Sequence, residues 1–213
     1  MGLTTHDSPR SILRSAAATF RLDFWEGQRN HVEVWVEKDA LTGVISPICN
    51  EYRVDFFACK GYTSQSEQWR AGQRFINRIE GGQKVIILHL GDHDPSGIDM
   101  TRDNLDRLKM FVGHETDRSM IEVKRLALNM DQVKKYKPPP NPAKLTDSRI
   151  GGYQSKFGKS SWELDALDPT AIRDIIESNV KKLITDKHLW QERVDREERY
   201  KARLEKVAKN FRA

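Results

Sequence analysis

The stretch KVIILHLGDHDPSGIDMTRD, residues 84–103, decides how this chain is read. An almost wholly apolar run from Lys84 to Leu90 stops abruptly at Gly91-Asp92-His93-Asp94-Pro95-Ser96-Gly97. So short an apolar run, bounded by turn residues, reads as a strand buried on both faces, as in a parallel sheet. Pro95 and Gly97 force a sharp turn, after which Ile98, Leu105, Leu108 and Val112 recur at helical spacing. Two aspartates one residue apart at a strand end point roughly the same way and repel each other. Ionising both is costly unless a cation is present. The same residues also suit a plain Asp-Pro turn in which Asp94 caps the next helix. Alone, the turn leaves both readings open.

Working outward, residues 32–36 (Val-Glu-Val-Trp-Val) read as a strand ending at Glu37. Residues 39–50 follow as a short helix. Residues 53–59 form a second strand closed by Lys60-Gly61, and residues 66–79 a helix stopped by Gly81-Gly82, with Trp69, Phe75, Ile76 and Ile79 for packing. Residues 120–128 suit a fourth strand. Strand and helix alternate three times within about a hundred residues, which predicts a parallel sheet flanked by helices, with ligands beyond the carboxyl ends of the strands. Glu37 and Asp92/Asp94 both fall at such ends. A carboxylate closing an apolar strand is expensive unless it meets water, a partner or a metal; a salt bridge with Lys38 or another basic residue would also meet that need. If the first and third strands are neighbours, the three carboxylates converge. They then offer two metal-directed aspartates and a glutamate free to move a proton. Mg²⁺ prefers oxygen ligands and keeps several waters, so two or three carboxylates suffice.

The remaining sequence sets the limits. The chain has 213 residues, 38% hydrophobic and 31% charged, and no segment approaches the ~20 apolar residues of a membrane span. Asp7 interrupts the place where a signal peptide needs an apolar core, so the expected location is cytoplasmic. Cys49 and Cys59 allow one disulfide but no cysteine framework. The net charge is +5, and from Lys181 onward eleven Lys/Arg face six acidic residues, so the whole excess lies in that tail. A basic C-terminal helix can hold phosphate backbones, or its mixed charges can form a solvated face of i,i+4 pairs. Four prolines between Pro138 and Pro142 predict an extended connector, and Gly151-Gly152 and Gly158 predict continued irregularity. Asp168-Pro169 then opens a helix, and Trp190, Val194, Tyr200, Leu204, Val207 and Phe211 stripe a final one. The expected organisation is a lead-in over residues 1–30, an α/β domain over 31–130, a basic connector over 131–160 and a helical extension over 161–213.

In order along the chain, Val34-Trp35-Val36-Glu37-Lys38-Asp39-Ala40, Lys60-Gly61-Tyr62 and Leu90-Gly91-Asp92-His93-Asp94-Pro95-Ser96-Gly97 resemble a Toprim domain. Within that class they are most similar to the A subunit of type IIB topoisomerases (topoisomerase VI) and its meiotic relatives, over about residues 31–130. The resemblance implies a Toprim-like (Rossmann-like) parallel sheet and a Mg²⁺ site, open also to Mn²⁺, built from Glu37, Asp92 and Asp94 and acting on a DNA phosphodiester. Glu37 is then a general acid/base or shared ligand, and the two aspartates hold the metal. Lys60 lies in the matching loop as a phosphate contact, with Arg74 on the next helix as a second. In that family the attacking tyrosine belongs to a winged-helix domain before Toprim, and no tyrosine lies among the thirty or so residues before the first strand here. The expectation is therefore a nuclease that activates water, as the OLD-type nucleases do, or the metal-binding part of a strand breaker. A winged-helix or ATPase protein supplied in trans, and a homodimer, are the partners that would fit. The alternative is a non-catalytic DNA-binding or assembly module on the same fold. The segments from Tyr136 to Lys144 and from Trp162 to Pro169 also resemble those of phage and bacterial Toprim-containing proteins.

Several residues carry a second reading. Lys144, Arg149, Lys156 and Lys159, interleaved with Tyr153 and Phe157, suit a DNA-binding loop or an ordinary basic surface. Glu163 and Asp165 suit a second metal site or a capping role. Strand alternation points His93 away from any metal, and Trp25, Trp35 and Trp69 are expected in the core.

Overall fold

The computed structural model describes residues 5–59, 63–143 and 147–211. In chain order the elements are α1 (Pro9–Thr19), β1 (Asn30–Val36), α2 (Thr42–Glu51), β2 (Asp55–Ala58), α3 (Gln65–Glu80), β3 (Lys84–Leu90) and α4 (Pro95–Phe111). There follow β4 (Ile121–Ala127), α5 (Met130–Tyr136), β5 (Asn141–Pro142), α6 (Ile150–Phe157), β6 (Ser160–Ser161), α7 (Pro169–Leu183) and α8 (Lys187–Asn210). They form two compact units, one of Arg29–Thr185 and one of the described parts of Met1–Gln28 and Asp186–Ala213.

The larger unit is α/β. Its four-stranded sheet has the order β2-β1-β3-β4 with every pair parallel. The first and third strands are neighbours, with Val36 level with Leu90. Both strands are buried along nearly their whole length, as a sheet covered on two faces requires. Trp35, Phe75, Ile87, Leu108 and Ile121 pack one core beneath α3 and α4. α2 and α7 pack together against the opposite face, where Ile45, Ile48, Ile172 and Ile176 are almost fully buried. α7 starts at Pro169 behind the Asp168 cap, as expected, and it belongs with the sheet. The helical extension therefore divides, residues 161–185 folding with the sheet and Asp186 onward with the first segment.

Three helices, α1, α5 and α6, stand where the sequence suggested none. α1 is opened by Ser8, whose hydroxyl accepts the Ser11 amide, with Pro9 at the first helical position. α6 forms despite Gly151 and Gly152. Two glycines cost only about 2 kcal/mol of helix propensity, and the burial of Tyr153 at the centre of α6 offsets that. Residues 131–160, expected as a connector, carry α5 and α6, and their strand pairing among the described residues is the two-residue ladder of β5 with β6. Trp69 corrects an expectation: it is 52% exposed, while Trp25 and Trp35 are in the core. Cys49 and Cys59 are separate buried thiols, both pushed up to about 12 by burial. No helix among the described residues is long and apolar enough to cross a membrane.

Within the smaller unit, α1 packs on α8. Trp190 meets the edges of Phe24 and Trp25, and the buried Glu197 carboxylate accepts the Leu22 amide at 2.8 Å.

Candidate functional site

The site lies where β1 and β3 end. The Glu37 amide donates to the Leu90 carbonyl at 2.8 Å, which carries the ladder one residue past both strands. The Glu37 side chain then reaches across, and its Oε2 accepts the Asp92 amide at 2.9 Å. Asp94 caps α4, Oδ1 accepting the Gly97 amide at 2.6 Å and the Ser96 hydroxyl at 2.9 Å. The capping role foreseen for Asp94 and its place in an acidic cluster thus coexist in one turn. Two glycines make the turn possible. A Cβ on Gly97 would sit 2.2 Å from the Asp92 carbonyl oxygen, and one on Gly91 would sit 2.8 Å from Glu37 Oε2. No side chain fits at either place.

Electrostatics mark Glu37. Burial first, then the charges of Asp92 and Asp94, raise its carboxyl to about 7. Asp92 is raised as well, chiefly by burial. Asp92 Oδ1 accepts the Leu164 amide at 2.7 Å and lies 3.4 Å from the Lys38 ammonium. Lys38 is held more closely by Glu163 and Asp165, at 2.8 Å each. Those carboxylates hold its pKa well above the usual lysine range against the opposing pull of burial. The salt bridge contemplated between Lys38 and Glu37 is absent among the described residues. Glu163 and Asp165 instead tie the segment after β6 to the end of β1.

Nothing in the sequence pointed to Arg125, near the end of β4, which anchors the turn. Its guanidinium donates to the carbonyls of Gly97 at 2.7 Å, Asp92 at 2.6 Å, and Gly91 and Leu128 at 3.1 Å. Burial lowers it to about 10, against the raising influence of Glu37, Asp94 and Asp92. An arginine fork has enough planar donors to hold several carbonyls at once, which a lysine lacks.

A second support comes from the distant connector. His93 exchanges backbone hydrogen bonds with Trp162, at 2.7 and 3.0 Å. Its ring sits edge-on to Tyr153, Phe157 and Trp162. The Tyr153 hydroxyl lies 2.9 Å from His93 Nδ1 and also within reach of the His93 and Ser160 carbonyls. His93 is 2% exposed, so it is a clamp turned away from the carboxylates. Tyr153 is buried in the same clamp and is not free for base stacking. Asp92, Asp94, Asn141, Pro142, Ser161, Trp162 and Glu163 line a cleft of about 320 Å³ against the turn.

The donor set suits a hard divalent cation. Among the described residues no hydrogen bond reaches Glu37 Oε1, Asp92 Oδ2 or Asp94 Oδ2, so each carboxylate keeps one oxygen uncommitted. As the side chains stand, no three His, Cys, Asp or Glu residues among those described are gathered closely enough to hold an ion. Loading would have to bring the uncommitted oxygens together.

The predicted DNA contacts divide. Lys60 and Lys144 lie outside the described residues. Arg74 donates through Nε and Nη2 to Glu33, at 2.8 Å each, about 13 Å of strand before Glu37. Arg149 is tied to Asp147 and Asp99. Lys156 and Lys159 are exposed. The basic residues expected to gather on nucleic acid thus include two already committed within the fold.

No protein-family profile, curated protein or solved structure matches the chain. The functional reading therefore rests on the residues and their geometry.

Proposed function

We propose that the protein is a Toprim-like, Mg²⁺-dependent enzyme acting on DNA phosphodiester bonds. It is a nuclease, or the metal-binding part of a strand breaker whose nucleophile comes from elsewhere. The observation that carries the reading is the convergence of Glu37, Asp92 and Asp94 from the ends of two adjacent parallel strands, with Glu37 raised to about 7 by burial and the charges of the other two. Asp92 and Asp94 would hold the cation through their uncommitted oxygens, Glu37 joining as ligand or proton carrier. When bound, the cation supplies charge neutralisation at the developing phosphorane oxygens. Glu37 titrates close to neutrality and can give and take a proton at Oε1 while Oε2 stays anchored to the Asp92 amide. Arg125 and the His93–Trp162 bridge keep the turn in shape, and the cleft beside Asp92 and Asp94 is the approach for the phosphate.

A second reading, a non-catalytic nucleic-acid-binding or assembly module on the same fold, draws on one observation. One oxygen each of Asp92 and Asp94 is already occupied, by Leu164 and Lys38 or by the start of α4, with no ion site preassembled among the described residues. Incubation of supercoiled plasmid with the protein and Mg²⁺ or Mn²⁺, beside Asp92→Ala, separates the two. The enzyme reading expects nicking that falls at least about 10³-fold in the variant. Equal nicking by both proteins would remove the site assignment, and salt-sensitive retention of uncut plasmid would select the binding module.

A further inference from the structure

The basic tail carries two kinds of cation. Three cations of α8 are paired: Arg193 with Glu26, Arg196 with Glu192, and Lys201 with Glu197 at 2.5 Å. Arg199, Arg203 and Lys206, interleaved with Lys201, recur at i, i+4 and i+7, so they share one face of the helix. All three are exposed, and no carboxylate of the described residues forms an ion pair with any of them. The opposite side of the helix, with Glu197 and Ala208 buried, is turned into α1. A shallow groove lined by Arg203, Lys206, Val207, Asn210 and Phe211 runs beside the stripe.

We infer that this face of α8 is a contact surface for the phosphate backbone of a nucleic-acid duplex. Three cations span seven residues, about 10 Å of helix. A duplex presents one phosphate charge per about 1.7 Å along its axis, so the stripe spans several phosphates at once. Release of condensed counterions then drives binding without any reading of sequence. A lipid surface fits less well. A helix lying in a membrane interface needs a broad free apolar face, whereas α8 spends its apolar side on α1 and leaves only Tyr200 and Val207 exposed. The surface shares its class of partner with the function proposed above but uses none of the carboxylate turn.

The test is a fluorescence-anisotropy titration of the full chain with DNA and RNA duplexes in EDTA, across about 50 to 200 mM salt. EDTA keeps the carboxylate turn out of the measurement, so failure here and failure of the cation site can be told apart. The variant Arg199→Gln/Arg203→Gln/Lys206→Gln changes exposed side chains only and is expected to melt with the parent. Its slope of log affinity against log salt should be shallower by about 2.7, three contacts at about 0.9 each. A charge-matched control, Arg70→Gln/Arg102→Gln/Lys182→Gln, should keep the parental slope. The assignment is overturned by an unchanged slope in the first variant or by an equal loss in the control. It is overturned equally if the parent binds neither duplex, or binds phosphatidylserine vesicles and neither duplex.

Discussion

Glu33 and Glu37 lie four residues apart on the β1 segment, so alternation turns them to the same face of the sheet. They have opposite fates. Burial would raise Glu33, but hydrogen bonds from Arg74 and His31 and the Arg74 charge overcome it, holding the carboxyl at about 2, with Trp35 adding a further bond. Glu37 has the Asp92 amide and a distant share of Arg125, set against burial and two aspartates, and rises to about 7. One glutamate is a fixed anion that ties α3 to the sheet. The other is a group able to change charge near neutrality. The backbone and residue type are the same, so the neighbours alone make the difference.

The largest effect expected is from Arg125→Gln. It strands the carbonyls of Asp92 and Leu128, takes one donor from those of Gly91 and Gly97, and removes a buried cation from behind the acidic turn, which costs about 3 to 4 kcal/mol by urea denaturation at pH 7. It should also speed amide exchange at Asp92 and Gly97. Loss of stability with unaltered exchange in the turn would mean that Arg125 only fills space, and would leave Glu37 without its compensating charge.

Breaking the other member of the pair comes next. Arg74→Ala leaves Glu33 buried beside only Trp35 and His31. The guanidinium is half exposed, so the cost falls below that of a fully buried pair, at about 2 to 3 kcal/mol at pH 7. The pH dependence has a definite sign. The folded pKa of Glu33 lies below the unfolded value, so the pair's contribution is complete above about 4.5 and is lost as pH falls towards 2. The gap between parent and variant should therefore narrow between pH 5 and pH 3. A gap of constant size over that range would assign the loss to packing of Arg74 on Phe75.

How far these fates could be foreseen differs between fold and site. The strands followed from apolar runs too short for helices, but their order did not, and it is the adjacency of β1 and β3 that places Glu37 beside the Asp92–Asp94 turn. The partners of the charges were not legible. Arg125 looks like an ordinary polar residue of a half-covered strand, and only the close approach of the Gly91–Gly97 turn makes its fork necessary. Arg74 reads as a phosphate contact until β1 brings Glu33 against it. The clamp on His93 depends on residues sixty or more positions away, and α6 forms around Tyr153 against the local signal of its glycines.

The smallest effect is opposite in sign and tests Glu37 itself. Its folded pKa lies above the unfolded value, so the folded chain holds a proton that the unfolded chain has released, and stability is lost as pH rises from about 4.5 to about 7. Glu37→Gln keeps an oxygen to accept the Asp92 amide but cannot ionise. The variant should match the parent at pH 5 and exceed it by about 1 to 2 kcal/mol at pH 8, the figure being discounted because the side chain is only partly buried. Mg²⁺ should stabilise the parent at pH 8 by the same route, by neutralising the turn, and should stabilise Glu37→Gln less. A variant less stable than its parent at pH 8 would show that ionised Glu37 is already compensated, and the contrast with Glu33 would collapse into two versions of the same structural ion pair.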